Sequence, residues 1–160
     1  MNVKLKNGKP ASEEGILALE GALGLRLSES FKNFIREHNG AEPENNVFRI
    51  SDNNECGVDQ FIPVQEIVNE RTRIENLPLK AYPVAWAEGG NYVFIDEGQN
   101  GAVFFWDHEQ PIPPVKLTSN FGEFLALLQP FDIKTVRLEP GQVKRIWVNP
   151  EFLKRQKQKS

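Results

Sequence analysis

The chain has few side chains of the types that commonly act as nucleophiles or general bases near neutral pH. It contains two histidines, His38 and His108, and one cysteine, Cys56. His38 closes a predicted helix, where an imidazolium interacts well with the helix dipole, so a capping role is favoured. His108 follows Trp106-Asp107 at a predicted strand end. It could be a base or a ligand, but a lone histidine beside a turn acid is more often a surface hydrogen-bonding group.

Cys56 forms no recognisable catalytic or metal-binding pattern. It has no second cysteine as a partner and no histidine near it in the sequence. Zinc ligands and cysteine nucleophiles depend on such neighbours, so the pattern favours a plain thiol in a loop. The sequence therefore predicts no catalytic residue, and we expect the protein not to be an enzyme.

Two stretches have the spacing of a calcium loop but lack its ligands. In residues 52–63 the central glycine fits, but Cys56 takes a ligand position and Pro63 replaces the closing glutamate. In residues 96–107 Gly98 offers no side-chain oxygen, and a hairpin turn explains this stretch better. The sequence also has no glycine-rich phosphate loop of either familiar spacing. We therefore expect no metal site and no cofactor.

Two groups of residues could instead bind a partner. The first comprises five acids between the second and third predicted helices: Glu42, Glu44, Asp52, Glu55 and Asp59. These acids could form one negative patch, or they could be solvated turn formers, and the sequence favours neither alternative. The second group is Trp106, Asp107 and His108 at the end of a strand, which could contact a partner or line a pocket.

Charge is distributed unevenly along the chain. Residues 1–10 hold three Lys and no acid, residues 11–133 hold 8 Lys/Arg against 20 Asp/Glu, and residues 134–160 hold 8 against 2. The three segments carry +3, −12 and +6, which sum to −3. Because phosphate contacts need cations, such an acidic body excludes a general nucleic-acid binder, whereas it suits a basic protein partner. The simpler explanation is that acidic surfaces keep proteins soluble.

The length and composition indicate one compact unit. A chain of 160 residues with 39% hydrophobic and 26% charged residues can bury a single core. No run of about 18 apolar residues and no signal-peptide pattern occurs, so we expect no membrane contact. A single cysteine permits no intramolecular disulfide, which favours a cytoplasmic location. We expect a monomer or a weak homodimer.

Four helices are predicted from capping residues and apolar spacing. They cover residues 12–24, 28–38, 63–75 and 120–130. Ser12 and Ser28 stand where helix-starting hydroxyls are expected, and Asn120 with Glu123 forms a capping box. The first, second and fourth segments have an apolar stripe and the third is mixed, and helices are expected to cover one side of the sheet.

Strands are predicted from runs of β-branched and aromatic residues. The predicted strands are residues 47–50, 61–62, 82–87, 92–96, 102–107 and 143–148, with residues 51–55 as a loop. The three central strands should form an antiparallel meander, and two of them are apolar on both faces, so both faces must be covered. The expected fold is α+β, with a central, mostly antiparallel sheet packed by about four helices. Residues 1–133 form the domain, and residues 134–160 form an extension with one strand and a basic tail.

The order and spacing of several short segments resemble those of the SUKH superfamily. The matching segments are residues 16–20, 23–24, 31–35, 38–40, 61–62, 83–85, 89–96, 101–108 and 121–125. The most distinctive are the Gly89-Gly90-Asn91 turn, the strand end Trp106-Asp107-His108, and the helix start Ser119-Asn120-Phe121. The resemblance spans residues 12–129. One departure is Leu27-Ser28, where many relatives have Leu-Pro.

This resemblance implies a protein-binding scaffold rather than a catalyst. Bacterial members typically act as immunity proteins against secreted polymorphic toxins, many of them nucleases or deaminases, and fungal Knr-type members regulate cell-wall assembly. The acidic body is complementary to a basic toxin, so we expect an immunity protein that neutralises a cognate toxin by direct binding. One alternative is a regulatory interaction module without a toxin. Another is a small-ligand binder or enzyme with a pocket at the end of the meander, formed by Tyr92, Trp86, Trp106, Asp107 and His108.

Overall fold

The computed structural model describes residues 3–131. The helices are α1 (Glu13–Leu23), α2 (Glu29–His38), α3 (Val64–Arg71) and α4 (Phe121–Leu127). The strands are β1 (Leu5–Lys6), β2 (Glu42–Pro43), β3 (Val47–Ser51), β4 (Asn54–Phe61), β5 (Ala81–Ala87), β6 (Asn91–Asp96), β7 (Ala102–Trp106) and β8 (Val115–Thr118). None of these helices is long and apolar enough to cross a membrane. The predicted strand at residues 143–148 and the rest of the extension lie outside the described residues.

An antiparallel sheet of six strands in the order β3-β4-β5-β6-β7-β8 forms the centre of the fold, and β1 and β2 form a separate two-stranded sheet. The large sheet curls until its edges approach each other. Val47 of β3 and Gln129, just after α4, exchange two backbone hydrogen bonds of 2.9 and 2.8 Å. The sheet is therefore nearly a barrel, and the predicted α+β class is confirmed.

The predicted starts of α1 and α4 are confirmed. Ser12 Oγ accepts a hydrogen bond of 3.0 Å from the amide of Gly15, which satisfies a free donor in the first turn of α1. Asn120 Oδ1 accepts one of 2.8 Å from the amide of Glu123. Glu123 Oε2 in turn accepts from the amide of Ser119 at 3.0 Å, one residue earlier than a standard capping box requires.

Helices α2 and α3 differ in detail from the prediction. Ser28 precedes α2, but its side chain caps no helix amide, because its hydroxyl donates to Glu97 at 2.5 Å. Helix α3 ends at Arg71 rather than near Glu75. The guanidinium of Arg71 donates to backbone oxygens of the returning chain, including that of Ala81 at 2.9 Å, so the chain reverses early to enter β5.

The strand prediction was right for the meander and incomplete elsewhere. The predicted loop at residues 51–55 is a tight turn followed by β4, which is much longer than the predicted piece at residues 61–62. Asn54, Glu55 and Gly57 have low β-propensity, but β4 lies between β3 and β5 and pairs with both. The short strands β1, β2 and β8 were also missed.

The inner face of the curled sheet holds the main aromatic core. Phe48 of β3 lies 5.7 Å from Phe105 of β7 and 5.6 Å from Phe124 of α4, measured between ring centroids. Phe31 and Phe121 make an edge-to-face pair at 5.2 Å between α2 and α4. These rings are almost fully buried, so α2 and α4 cover the inner face.

The outer face carries a second apolar cluster, which confirms that both faces are covered. Phe94 and Phe104 are cross-strand partners whose rings stack at 5.3 Å. Leu77 and Trp106 pack against this cluster. Leu77 belongs to the segment that follows α3, so this returning segment covers part of the outer face.

Alternating strand directions place three connections at one end of the sheet. The β3–β4 turn, the β5–β6 turn at residues 88–90 and the β7–β8 connection at residues 107–114 share what we call the upper end. The β6–β7 turn at residues 97–101 lies at the lower end. Residues predicted separately from the sequence can therefore meet at the upper end.

Candidate functional site

An open groove of about 670 Å³ lies at the upper end, which we call the end groove. One wall is residues 74–78, after α3, and the other is residues 106–114, from the end of β7 to the start of β8. Its apolar lining includes Leu77, Trp106 and Ile112, and the Ile112 side chain is 53% exposed. An exposed apolar surface of this kind commonly marks a binding site.

The charged lining of the end groove is acidic. Glu75, Asp107 and Glu109 all line it. Among residues 3–131, no lysine or arginine contributes to this lining, and His108 is the one residue of the lining that can become cationic. Negatively charged side chains along a cleft attract positively charged ligands, so the groove favours cations.

The side chain of Asn91 fixes His108 at the rim of the groove. Asn91 Oδ1 accepts from the His108 backbone amide at 3.1 Å and lies 2.8 Å from ring Nδ1. The other ring nitrogen lies 3.7 Å from Glu109 Oε1. Gly90 leaves room for the ring, since a Cβ there would come within 3.2 Å of His108 Cε1. These contacts make the β5–β6 turn the support that positions His108.

Asp107 stands between two clefts. It lines the end groove and also a smaller cleft of about 270 Å³ on the other side of the β7–β8 connection. Ile50 and Asn54 of the β3–β4 hairpin line the smaller cleft. Asp107 Oδ1 accepts from the Glu109 amide at 2.9 Å, which holds the connection in shape. The connection therefore forms a ridge with a cleft on each side.

Two of the five predicted acids, Asp52 and Glu55, lie in the hairpin that borders this smaller cleft. Asp52 is exposed in the β3–β4 turn, and Glu55 begins β4, where it pairs with Arg49 at 3.5 Å. We call the two clefts together with the β3–β4 turn the upper-end surface. The structure thus brings Asp52 and Glu55 to the same end as Trp106, Asp107 and His108.

Glu42 and Glu44 lie at the opposite end. Glu42 belongs to β2, next to Ala41, whose carbonyl accepts from the amide of Phe61 at 2.9 Å. Phe61 is the last residue of β4 and Asn54 the first, and an eight-residue strand is about 23 Å long. The five acids therefore do not form one patch.

Asp59, the fifth acid, lies on β4 near Glu88 and Cys56. Glu88 Oε2 accepts from the amide of Gly57 at 3.1 Å. Partial burial, together with the charge of Glu88, raises the pKa of Asp59. Burial first, and then the charge of Glu88, raises the pKa of the Cys56 thiol to about 11. Cys56 is buried in a strand rather than exposed in a loop, and its thiol stays protonated at neutral pH.

A buried polar cluster that sequence analysis missed lies behind the groove. Glu70 of α3 is only 6% exposed, and it accepts from Trp86 Nε1 at 2.8 Å and from the Tyr92 hydroxyl at 2.5 Å. Burial favours a higher Glu70 pKa, but the two hydrogen bonds and nearby Arg73 outweigh it, so the pKa is lowered. The Tyr92 ring lies 6.0 Å from that of Trp106, which links the cluster to the groove. The sequence placed Trp86 and Tyr92 around a pocket at the end of the meander, but nothing in it marks Glu70 as their partner.

The groups around His108 include no catalytic grouping of familiar type among the described residues. His108 contacts Asn91 and Glu109, and neither side chain is a nucleophile that a histidine base activates. Within the described part of the chain, no three His, Cys, Asp or Glu side chains are grouped so as to hold a metal ion. The exposed aromatic, aliphatic and acidic groups of the end groove are all suited to contact another molecule.

Comparison with known proteins identifies the family. A sequence model of the SMI1 / KNR4 family (SUKH-1) matches residues 10–127, well over half of the chain and all the residues from α1 to α4. No curated protein matches the chain closely enough to count as a relative. The match covers the end groove and nearly the whole span of the resemblance noted in the sequence. The chain belongs to the SMI1 / KNR4 family (SUKH-1), and thus to the SUKH superfamily.

Proposed function

We propose that this protein is a cytoplasmic immunity protein. It acts without catalysis, as a monomer or weak homodimer, and neutralises a cognate protein toxin by binding it. Membership of the SMI1 / KNR4 family (SUKH-1) is consistent with a protein-interaction domain of immunity or regulatory type. The contact surface in this proposal is the upper-end surface, with Asp52, Glu55, Trp106, Asp107 and His108.

The observation that carries the proposal is the composition of the end groove. Its lining combines the exposed Ile112 and the partly buried Trp106 with three carboxylates. Energetically important contacts in protein interfaces are enriched in tryptophan and are surrounded by polar rims. A groove with an aromatic residue and an acidic rim matches that composition.

The charge of the chain supports a basic partner. Residues 11–133 carry 8 Lys/Arg against 20 Asp/Glu. Complementary charge raises the rate of encounter between two proteins by orders of magnitude at low salt. An immunity protein must bind its toxin before the toxin acts, so a fast association rate suits this function. A toxin that acts on nucleic acid, such as a nuclease or deaminase, needs a basic surface of its own.

The proposed absence of catalysis is supported by the state of the reactive groups. The Cys56 thiol has a pKa of about 11 and is buried. The two hydrogen bonds with Asn91 hold His108 at the rim of the groove. The buried thiol is therefore not poised as a nucleophile at neutral pH, and the side chains against the His108 ring, Asn91 and Glu109, include no hydroxyl or thiol for it to activate.

The test is a binding and neutralisation assay with the product of the gene adjacent to the one that encodes this chain, as the candidate toxin. Calorimetry at low and high salt measures affinity, and a toxin activity assay measures neutralisation. We expect a one-to-one complex that inhibits the toxin and weakens as salt rises. Asp107→Lys should weaken binding by about tenfold or more, because it places a like charge against a basic partner.

Glu44→Lys is the matched control, since it changes the net charge equally at the lower end. It should alter affinity far less than Asp107→Lys. The absence of any complex with the adjacent gene product would contradict the immunity function and favour a regulatory module. Equal effects of the two variants would contradict the upper-end surface as the contact site.

A further inference from the structure

The Trp106 ring is held in place before any ligand arrives. It lies 6.0 Å from the Tyr92 ring and 6.5 Å from the His108 ring. Glu70 anchors Tyr92 and Asn91 anchors His108 through hydrogen bonds. A side chain fixed by such neighbours loses little conformational entropy on binding, so its contacts contribute more fully to affinity.

The charges around this ring select a cation. Glu75, Asp107 and Glu109 line the groove together with Trp106. An indole face attracts Lys and Arg cations, and a nearby carboxylate adds a charge-assisted hydrogen bond. An anion in the same place would be repelled by the three carboxylates, and no lysine or arginine of this lining would offset them. A neutral polar group would leave the carboxylates without a charged partner.

The remaining lining favours aliphatic groups beside the cation. Leu77 and the 53% exposed Ile112 supply apolar surface. Pro111, Pro113 and Pro114 stand in the same wall, and each has a ring that restricts the backbone. The wall is therefore a stiff apolar strip next to the acids, which fits side chains on either side of a basic residue.

We propose that the end groove binds a lysine or arginine side chain flanked by aliphatic residues in an extended segment of a partner protein. The cation lies against the Trp106 ring and pairs with Asp107, while the flanking side chains cover Leu77 and Ile112. The identity of this partner as a toxin rests on the proposed function. The chemistry of the groove does not, and it is tested without a toxin.

The test is a nuclear magnetic resonance titration of the full chain labelled with ¹⁵N. The probe is the peptide acetyl-Leu-Arg-Leu-amide, and its neutral control is acetyl-Leu-Gln-Leu-amide. The indole N–H signal of Trp106, assigned by Trp106→Phe, reports on the groove. We expect it to shift with the arginine peptide, and the neutral peptide should bind about tenfold more weakly.

Asp107→Asn should weaken binding of the arginine peptide several-fold, whereas Glu44→Gln at the lower end should leave its affinity unchanged. Equal binding of the two peptides would overturn the proposal. The absence of a Trp106 shift on addition of the arginine peptide would also overturn the proposal. That result is expected if residues 134–160 of the chain itself occupy the groove. A Trp106 signal that depends on protein concentration without peptide would point to a second copy of the chain and would also overturn it. If the peptide binds the groove but no toxin does, only the immunity function fails.

Discussion

One oxygen atom of Asn91 holds both the backbone and the ring of His108. Asn91 Oδ1 lies 3.1 Å from the His108 amide nitrogen and 2.8 Å from ring Nδ1. Asn91 closes the Gly-Gly-Asn turn, and His108 ends the Trp-Asp-His segment. Two of the three most distinctive segments of the family resemblance therefore contact each other, and their contact shapes one rim of the end groove.

The Asn91–His108 contact should be measurable by a double-mutant cycle. Asn91→Ala removes both hydrogen bonds, and we expect it to lower the free energy of unfolding by about 1 kcal/mol, because the site is exposed. His108→Ala removes only the ring contact, so it should lower the free energy of unfolding by less than Asn91→Ala does. Urea unfolding of the two single variants and the double variant should give a coupling of about 0.5 kcal/mol. Strictly additive effects would show that the ring contact contributes nothing.

The second prediction concerns Glu97, which connects α2 to the sheet. Glu97 Oε1 accepts from the Ser28 amide at 2.7 Å, the Ser28 hydroxyl at 2.5 Å and the Tyr82 hydroxyl at 2.6 Å. Tyr82 is fully buried, so Glu97→Ala removes the carboxylate that its hydroxyl donates to. We expect the free energy of unfolding to fall by about 3 kcal/mol in urea denaturation, and by less for Glu97→Gln.

Glu88→Ala is the matched control for Glu97→Ala. Glu88 occupies the same first position in the other short turn of the meander, but it accepts a single hydrogen bond, from Gly57. Its removal should change the free energy of unfolding by about 0.5 kcal/mol at most. Similar losses of unfolding free energy for the two variants would show that the three hydrogen bonds accepted by Glu97 stabilise the fold no more than the single one accepted by Glu88.

The third prediction concerns the pH dependence of stability. The hydrogen bonds from Trp86 and Tyr92, with the charge of Arg73, outweigh burial and lower the Glu70 pKa below its ordinary value of 4.5. A carboxyl whose pKa is lower in the folded state stabilises the fold above its unfolded pKa. That stabilisation is lost as pH falls through the folded pKa. The free energy of unfolding measured in urea should therefore fall as the pH drops below about 4.5, the ordinary pKa of a glutamate.

Glu70→Gln should show a flatter pH profile than the wild type in this acid range. Glu66 lies on the same helix but is exposed, so Glu66→Gln should keep the wild-type dependence of stability on pH. A Glu70→Gln profile as steep as that of the wild type would show that other carboxyls cause the acid sensitivity.

The sequence was sufficient for elements whose local signals agree with their surroundings. The meander strands combine aromatic and β-branched runs with turns that need positive φ, and Asn100 and Gly101 have φ of 58° and 79° as the turn requires. Strand β4 was missed because Asn54 and Glu55 favour turns locally, while pairing with Ser51 and Arg49 of β3 holds them in a strand. Local propensity is overridden where a neighbouring strand supplies the pairing.

The site could be predicted only in part. Trp106, Asp107 and His108 stood out as a group, and the structure places all three at the end groove. The opposite wall, residues 74–78, was unpredictable because α3 ends early and the chain folds back across the outer face. The role of Glu70 was unpredictable because its partners, Trp86 and Tyr92, come from strands distant in sequence.

The fourth prediction concerns the reactivity of Cys56. Burial and the nearby Glu88 charge raise the pKa of its thiol to about 11, and only the thiolate reacts quickly with disulfide reagents. We expect Cys56 of the folded protein to react at least about a hundredfold more slowly at neutral pH than it does in urea. Glu88→Gln should speed the reaction slightly by removing a negative charge. Fast labelling of the native protein would contradict a buried, protonated thiol.

The fifth prediction uses two glycines with opposite environments. Gly90 has a φ of +82°, and a Cβ there would lie 3.2 Å from His108 Cε1. Gly90→Ala therefore combines backbone strain with displacement of the ring, and we expect a loss of about 1 to 2 kcal/mol in the free energy of unfolding. Gly21 lies inside α1, and a Cβ added there would meet no neighbouring atom within 4 Å, so Gly21→Ala should stabilise the protein by about 0.5 to 1 kcal/mol.

The two alanine variants also separate stability from the shape of the groove. Because His108 lines the end groove, Gly90→Ala should shift the Trp106 indole signal and weaken binding of the arginine peptide several-fold. Gly21→Ala should leave both unchanged while raising the melting temperature. If Gly90→Ala lowered stability but left peptide binding intact, the position of His108 would not matter for the groove, and the cation would be held by Trp106 and Asp107 alone.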